Sequence, residues 1–392
     1  MSFYKSVGDV PRKRHTQHFQ SDGSRYIEEL MGQEGFGSAS ALLYHRHSPS
    51  ALVSIDPVET LIEPATADHP LTPRHLRTSL LSPTADLILD RHTLLANADV
   101  ELDWLSGSGT SDLYRNADGD ELVFVHRGSA TIESVFGVLN VSQGDYLVIP
   151  RSTTHRWITS GFEALVVVAH GHVQPPRRYL SAHGQFLEHS PYCERDIRVP
   201  TEPLLVEGAN VPVLVRLRGR FSRHVYRHHP FDVVGWDGHL HPWSFNISDF
   251  EPIVGRIHQP PPVHQTFEGH GFVVCSFVPR LFDFHPNATK IPYHHLNTDS
   301  DEVLFYSDGD FMSRRGSGVG AGSITFHPVG FTHGPQPGSL EASLDKIKTD
   351  ELAVMIDTFA RLNVTTTARS ISDLDYPFSW NKGNGGEIPL VN

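Results

Sequence analysis

Cysteine is nearly absent: Cys193 and Cys275 are the only two in 392 residues. Two thiols so far apart make no disulfide framework, so a reducing cytoplasm is the expected setting. Long apolar runs are missing too. No stretch approaches the roughly 20 residues that span a bilayer, and the opening Met1 to Val10 lacks the apolar core of a signal peptide. Positive charge is in deficit, with a formal net charge of −13, which argues against nucleic acid and membranes as partners. Helical periodicity is scarce as well. Its best instance is Thr349 to Leu362, where Leu352, Met355, Ile356, Phe359 and Leu362 recur at helical spacing and predict a C-terminal helix.

What the chain does have is punctuation, with 28 prolines and 32 glycines spread along it. Between them lie short apolar runs such as Glu121–Val125, Tyr146–Ile149 and Phe272–Val278. That pattern predicts a mostly β fold of short strands in a sandwich or barrel. A weak internal repeat sharpens this. Asp120-Glu121 leads to Gly128, then Gly144, Pro150 and His155; Asp301-Glu302 leads to Gly309, then Gly322, Pro328 and His333. In both copies six residues separate Glu from Gly, five separate Gly from Pro, and the His falls five positions past the Pro. Two copies of one supersecondary unit resemble a duplicated cupin, a small jelly-roll barrel. The expected division is 1–245, a β domain with a degenerate, metal-free half, and 246–392, a catalytic half with C-terminal helix and tail. The Pro-, Arg- and His-rich stretch Gln174–Pro230 reads as irregular connecting arms.

Histidine is abundant, at 26 residues, but only spacing gives it meaning. Cupin barrels place metal ligands as His-x-His, then Glu, then a last His. The second copy offers His295, Asn297 in place of the middle His, Glu302 and His333. Two histidines and a carboxylate with open positions suit a mononuclear non-heme iron site. Strand alternation puts His295 and Asn297 on one face and His294 on the other. In the first copy Tyr114, Arg115 and Asn116 occupy the histidine positions, and only Glu121 and His155 remain. His258, in a Pro-rich loop, is either a general base or an exposed loop histidine. His327 is either a support for the ligands or a substrate contact. The pair His239 and His241 has metal-like spacing, yet its aromatic neighbours favour packing.

Together the motifs resemble the homogentisate 1,2-dioxygenase family. They are Tyr114–Val125, Phe136-Gly137, Gly235–Gly238, Pro242-Trp243, Phe245–Ile247, Pro292–Asn297 with Glu302, Thr332–Pro335 and Glu351–Thr358. The resemblance implies Fe(II) held by His295, Glu302 and His333, with His258 as active-site base. It implies a substrate pocket lined by His327, with Asn297 and Phe311 also expected there, and a homo-oligomer, a hexamer built from trimers. It implies ring cleavage of homogentisate by O2 to maleylacetoacetate in tyrosine and phenylalanine breakdown. The chain departs from the family in an extra residue between His295 and Glu302, a shorter loop before His258, and Phe311 where a tyrosine is expected. Gentisate or another dihydroxylated aromatic acid is the alternative substrate. A non-catalytic bicupin binding protein is the alternative class.

Overall fold

The computed structural model describes residues 3–60, 63–291 and 293–381. Pro292, part of the first ligand motif, and the tail beyond Asn381 lie outside the described residues. The protein is mostly β, and its contacts separate into two compact units. One comprises Met1–Glu63, Pro83–His92 and Glu101–Asp249; the other comprises Pro64–Ser82, Thr93–Val100 and Phe250–Asn392. Among the described residues no helix is long and apolar enough to cross a membrane. Cys193 and Cys275 are both free thiols.

In the first unit the long strand Asp120–Ser134 pairs antiparallel with Gly137–Ser142, Asp145–Ile149 and His155–Ala169. Val123, Val125, Leu147, Ile149, Val166 and Val168 enter one core with Trp157 and Tyr114. The intervening Leu122, Phe124, Tyr146 and Val148 are buried as well. Burial on both faces explains why these strands read as continuous apolar runs rather than as alternation.

The second unit is built on a six-stranded antiparallel sheet. Its order is Gln265–Gly269, Phe272–Phe277, Leu352–Thr358, Asp301–Asp308, Ser323–His327 and Arg74–Arg77. The helix expected over Thr349–Leu362 is therefore a strand, Leu352–Thr358, in the middle of the sheet. Ala353 and Met355 pack on one face with Leu304 and Tyr306, while Val354 and Ile356 are buried too. A strand apolar on both sides has no period of two, and its gaps mimic a helical one. Among the described residues of this region the α-helices are the five-residue Ser339–Ser343 and Thr366–Ser370. The expected irregular arm also contains order: Ala209–Leu217 and Arg220–His228 pair as an antiparallel hairpin.

The repeat has a physical basis. Asp120 accepts hydrogen bonds from the backbone N–H of Arg151 (2.8 Å) and Val173 (2.9 Å). Asp301 accepts from Val329 (2.8 Å) and Leu362 (2.8 Å). In each copy the aspartate before the glutamate thus ties down the residue after the proline. Gly128 and Gly309 share positive φ, +76° and +94°, and an added Cβ would overlap the carbonyl oxygens of Gly161 and Asp350.

Candidate metal centre

His295 and His333 meet across an isolated antiparallel bridge. The His295 N–H donates to the His333 carbonyl (2.8 Å), and the His333 N–H donates back (3.0 Å). Around His295 the chain is extended but forms no strand beyond this bridge. Glu302, second residue of Asp301–Asp308, reaches both rings: Oε2 is 3.4 Å from His295 Nε2, and Oε1 is 3.1 Å from His333 Nε2. The three donor atoms lie within 4.8 Å of one another. Adjacent ligands about 2.1 Å from one divalent ion would stand about 3 Å apart, so these separations suit a shared ion. His333 Nδ1 lies 3.0 Å from the Phe331 carbonyl, which turns Nε2 toward Glu302. The donor set therefore fits a metal.

Glu302 is fully ionised. Burial works to raise its carboxyl, but hydrogen bonds from His295, His327 and His333 hold it well below the usual carboxylate range. His327 faces Glu302 directly in strand register. Burial pushes its imidazole down to about 3, so the ring is neutral. Nδ1–H then donates to Glu302 Oε1 (2.9 Å), and Nε2 accepts from the Tyr376 hydroxyl (2.8 Å).

A cavity of about 280 Å³ opens beside these groups. His295, Glu302, Asn297 and His258 are in its wall, with Leu304, Met355 and Phe277 supplying apolar surface. His258 is 40% exposed, with Nε2 3.0 Å from the Tyr293 hydroxyl and Nδ1 3.6 Å from Asp283. Two residues expected at the substrate are elsewhere. His327 is completely buried behind Glu302 and is not part of the wall. Phe311 packs edge-on against Tyr306 at 4.9 Å in the apolar cluster and is not in the wall either. Each is drawn away by a better partner, a carboxylate in one case and an aromatic ring in the other. His294 lines a separate depression with Trp380 and Leu340, away from Glu302. His241 is buried against Trp236 and hydrogen-bonds the carbonyls of Phe3 and Pro242, as packing predicts.

Asp357 carries no spacing signal in the sequence. It stands opposite Glu302 in the neighbouring strand and lines the cavity. Burial, then the Glu302 charge, pushes its carboxyl up to about 7, and Oδ1 is buried without a hydrogen-bond partner among the described residues. Reading Leu352–Thr358 as a strand would have placed Asp357 on the face of Met355. Tyr376 and Arg314, which also surround the site, come from segments with no periodic signal.

The first unit repeats the framework with different chemistry. Tyr114 and His155 form the bridge, but Glu121 accepts hydrogen bonds from Tyr114 (3.0 Å), Asn116 (2.9 Å) and Arg91 (3.1 Å). Burial would raise the Glu121 carboxyl, yet the Arg91 charge keeps it lowered. A guanidinium is the counter-cation there.

Comparison with known proteins bears on the family. A family model for the homogentisate 1,2-dioxygenase N-terminal region matches residues 104–247. A Saccharolobus solfataricus protein named "Putative dioxygenase SSO1533" is 40% identical over 384 residues, covering 97% of this chain and 99% of that one. Homogentisate 1,2-dioxygenases of Emericella nidulans and Nitrobacter hamburgensis are 24% and 28% identical, over 65% and 68% of this chain. The matched segments span 60% and 62% of those two enzymes. A cupin 2 conserved barrel domain protein from Leptotrichia buccalis aligns over 73% of this chain and 95% of that one, at 9% identity and TM-score 0.36, too slight to carry an argument. The relatives imply a metal cofactor, for which the cluster of two histidines and a carboxylate is the matching donor set. With a relative at 40% identity across nearly its whole length, the chain belongs to the same family as that putative dioxygenase, and its residues 104–247 match the homogentisate 1,2-dioxygenase N-terminal model.

Proposed function

We propose that this protein is an Fe(II)-dependent ring-cleaving dioxygenase that opens homogentisate with O2 to maleylacetoacetate. The observation that carries the reading is the convergence of His295, Glu302 and His333 beside a cavity of about 280 Å³, a volume near that of small-ligand sites. Both oxygen atoms end in the product, so no external reductant is required. His295, Glu302 and His333 would hold the metal, which supplies open coordination positions where a ring hydroxyl and dioxygen meet.

The chain's own residues do the rest. His327 and Tyr376 lock the Glu302 carboxylate in one orientation through two consecutive hydrogen bonds. Leu304, Met355 and Phe277 exclude water from one side of the ring. His258 Nε2, 3.0 Å from the Tyr293 hydroxyl, would take the proton of the hydroxyl that approaches the centre. Phe311, packed on Tyr306, gives no reason to prefer gentisate.

Oxygen consumption by Fe(II)-loaded protein with homogentisate, with ultraviolet detection of the ring-opened product, tests the reading. One O2 per substrate and that product are expected. Metal retention with no uptake on homogentisate would overturn the substrate assignment. In His333→Ala, metal and turnover should both disappear, and full activity in that variant would overturn the ligand assignment.

A further inference from the structure

Among the described residues two arginines are buried as whole residues, Arg216 and Arg314, at 7% and 5% exposure. Arg216 meets Glu101 at 2.6 Å. Arg74 and Arg91, with side chains 13% and 5% exposed, meet Asp68 at 2.7 Å and Glu121 at 3.1 Å. Arg314 differs: among the described residues no carboxylate lies within 4.0 Å of it. Its Nε–H donates to the Tyr306 hydroxyl (2.8 Å) and Nη1–H to the Gly334 carbonyl (2.7 Å), both neutral acceptors. Nη2 has no protein acceptor among the described residues, and Arg314 is in the wall of the cavity. Gly334 follows His333, so the guanidinium is tied to the backbone beside the proposed ligands.

The backbone that carries the side chain is held as well. Arg314 ends the turn Met312–Arg314, whose Ser313 carbonyl accepts from the Gln336 N–H (2.8 Å). The Arg314 carbonyl accepts from the Ser317 hydroxyl (2.6 Å). A buried, immobilised cation without a contacting anion is costly in isolation. The charges of Glu302 and Glu351 are felt there without contact, but the first already serves three histidines and burial raises the carboxyl of the second. A planar carboxylate entering the cavity would supply what is missing, because guanidinium N–H groups match its geometry.

We propose that Arg314 is the substrate-carboxylate anchor, and so the residue that makes the cavity select aromatic acids over neutral aromatics. This rests on the dioxygenase reading for the ring chemistry, but not for the binding itself. The test is therefore binding without turnover. Metal-loaded protein under argon is titrated calorimetrically with phenylacetate and with phenylacetamide, its neutral counterpart. Wild type should prefer the acid at least tenfold, Arg314→Gln should reduce that below twofold, and Arg280→Gln should leave it. Arg280 is the control because it is another cation of the same wall. Should Arg314→Gln fail to fold or lose its metal, Arg314→Lys decides, since it keeps the charge but not the planar fork. Its preference should fall several-fold. No preference in wild type, a full preference in folded Arg314→Gln or in Arg314→Lys, or a preference that vanishes with Arg280 would each overturn the proposal. A protein that selects phenylacetate through Arg314, yet consumes no O2 with any dihydroxylated acid, would sink the dioxygenase reading and leave the anchor standing.

Discussion

Arg91 donates to Glu121 Oε2 from 3.1 Å, at the repeat position where Glu302 instead faces three histidine rings. The first half thus keeps the buried carboxylate of the repeat and neutralises it with a permanent side-chain cation. Removing that cation leaves a buried charge uncompensated, which costs about 3–5 kcal/mol. Arg91→Met should therefore shift urea unfolding strongly, followed by fluorescence of Trp157 in the same interior. Metal content should not change. Arg91→Met with Glu121→Gln should recover most of the loss, since the orphaned charge is gone. An additive double variant would contradict the account.

His327 makes the opposite kind of contribution, acting on the metal through Glu302. Replacing it with Phe keeps the ring volume and removes both hydrogen bonds, to Glu302 and to Tyr376. Losing such a support lowers metal affinity about 10–100-fold. The expected result is weaker metal retention in a chelator competition, with turnover restored at high metal concentration. Tyr376→Phe should show a smaller change of the same kind. Complete, unrescuable loss in His327→Phe would instead make His327 a ligand.

How far the sequence reaches is clearest at these residues. Spacing alone brings His295, Glu302 and His333 together, because strand pairing and the Asp301 tether convert sequence offsets into fixed positions. Glycine and proline mark the strand ends, since Gly309 needs positive φ and close backbone approach. The central strand Leu352–Thr358 is misread because burial on both faces erases its alternation, and Asp357 is lost with it. The hairpin at Ala209–His228 is missed for the reverse reason: Arg220, Arg223 and Arg227 are exposed, so charge dominates its composition. Arg314 and Tyr376 reach the site through tertiary contacts that no local pattern encodes.

His258 is the residue whose removal should separate chemistry from metal binding. Among the described residues it has no hydrogen bond to Glu302, His295 or His333; its ring nitrogens meet Tyr293 and, at 3.6 Å, Asp283. His258→Gln should therefore retain full metal content. Without a general base, kcat is expected to fall about 10²–10⁴-fold. Unchanged kcat with an altered KM would reduce His258 to a binding contact.

Far from that chemistry, His45 couples stability to pH. Its Nδ1–H donates to Asp232 (2.6 Å) and its Nε2–H to Glu29 (3.0 Å), which requires an imidazolium. Burial alone would lower this group, but the two carboxylates outweigh it and raise it from 6.5 to about 9. A folded-state pKa above the unfolded one means the folded protein binds the extra proton between those values. The stabilisation is complete below pH ~6.5 and fades as pH rises through about 9. That rise corresponds to about 3 kcal/mol at most. Thermal unfolding between pH 6.5 and 9.5 should thus fall more steeply in wild type than in His45→Gln, where no proton is released. Parallel slopes would mean that the proton is shared differently among His45, Asp232 and Glu29.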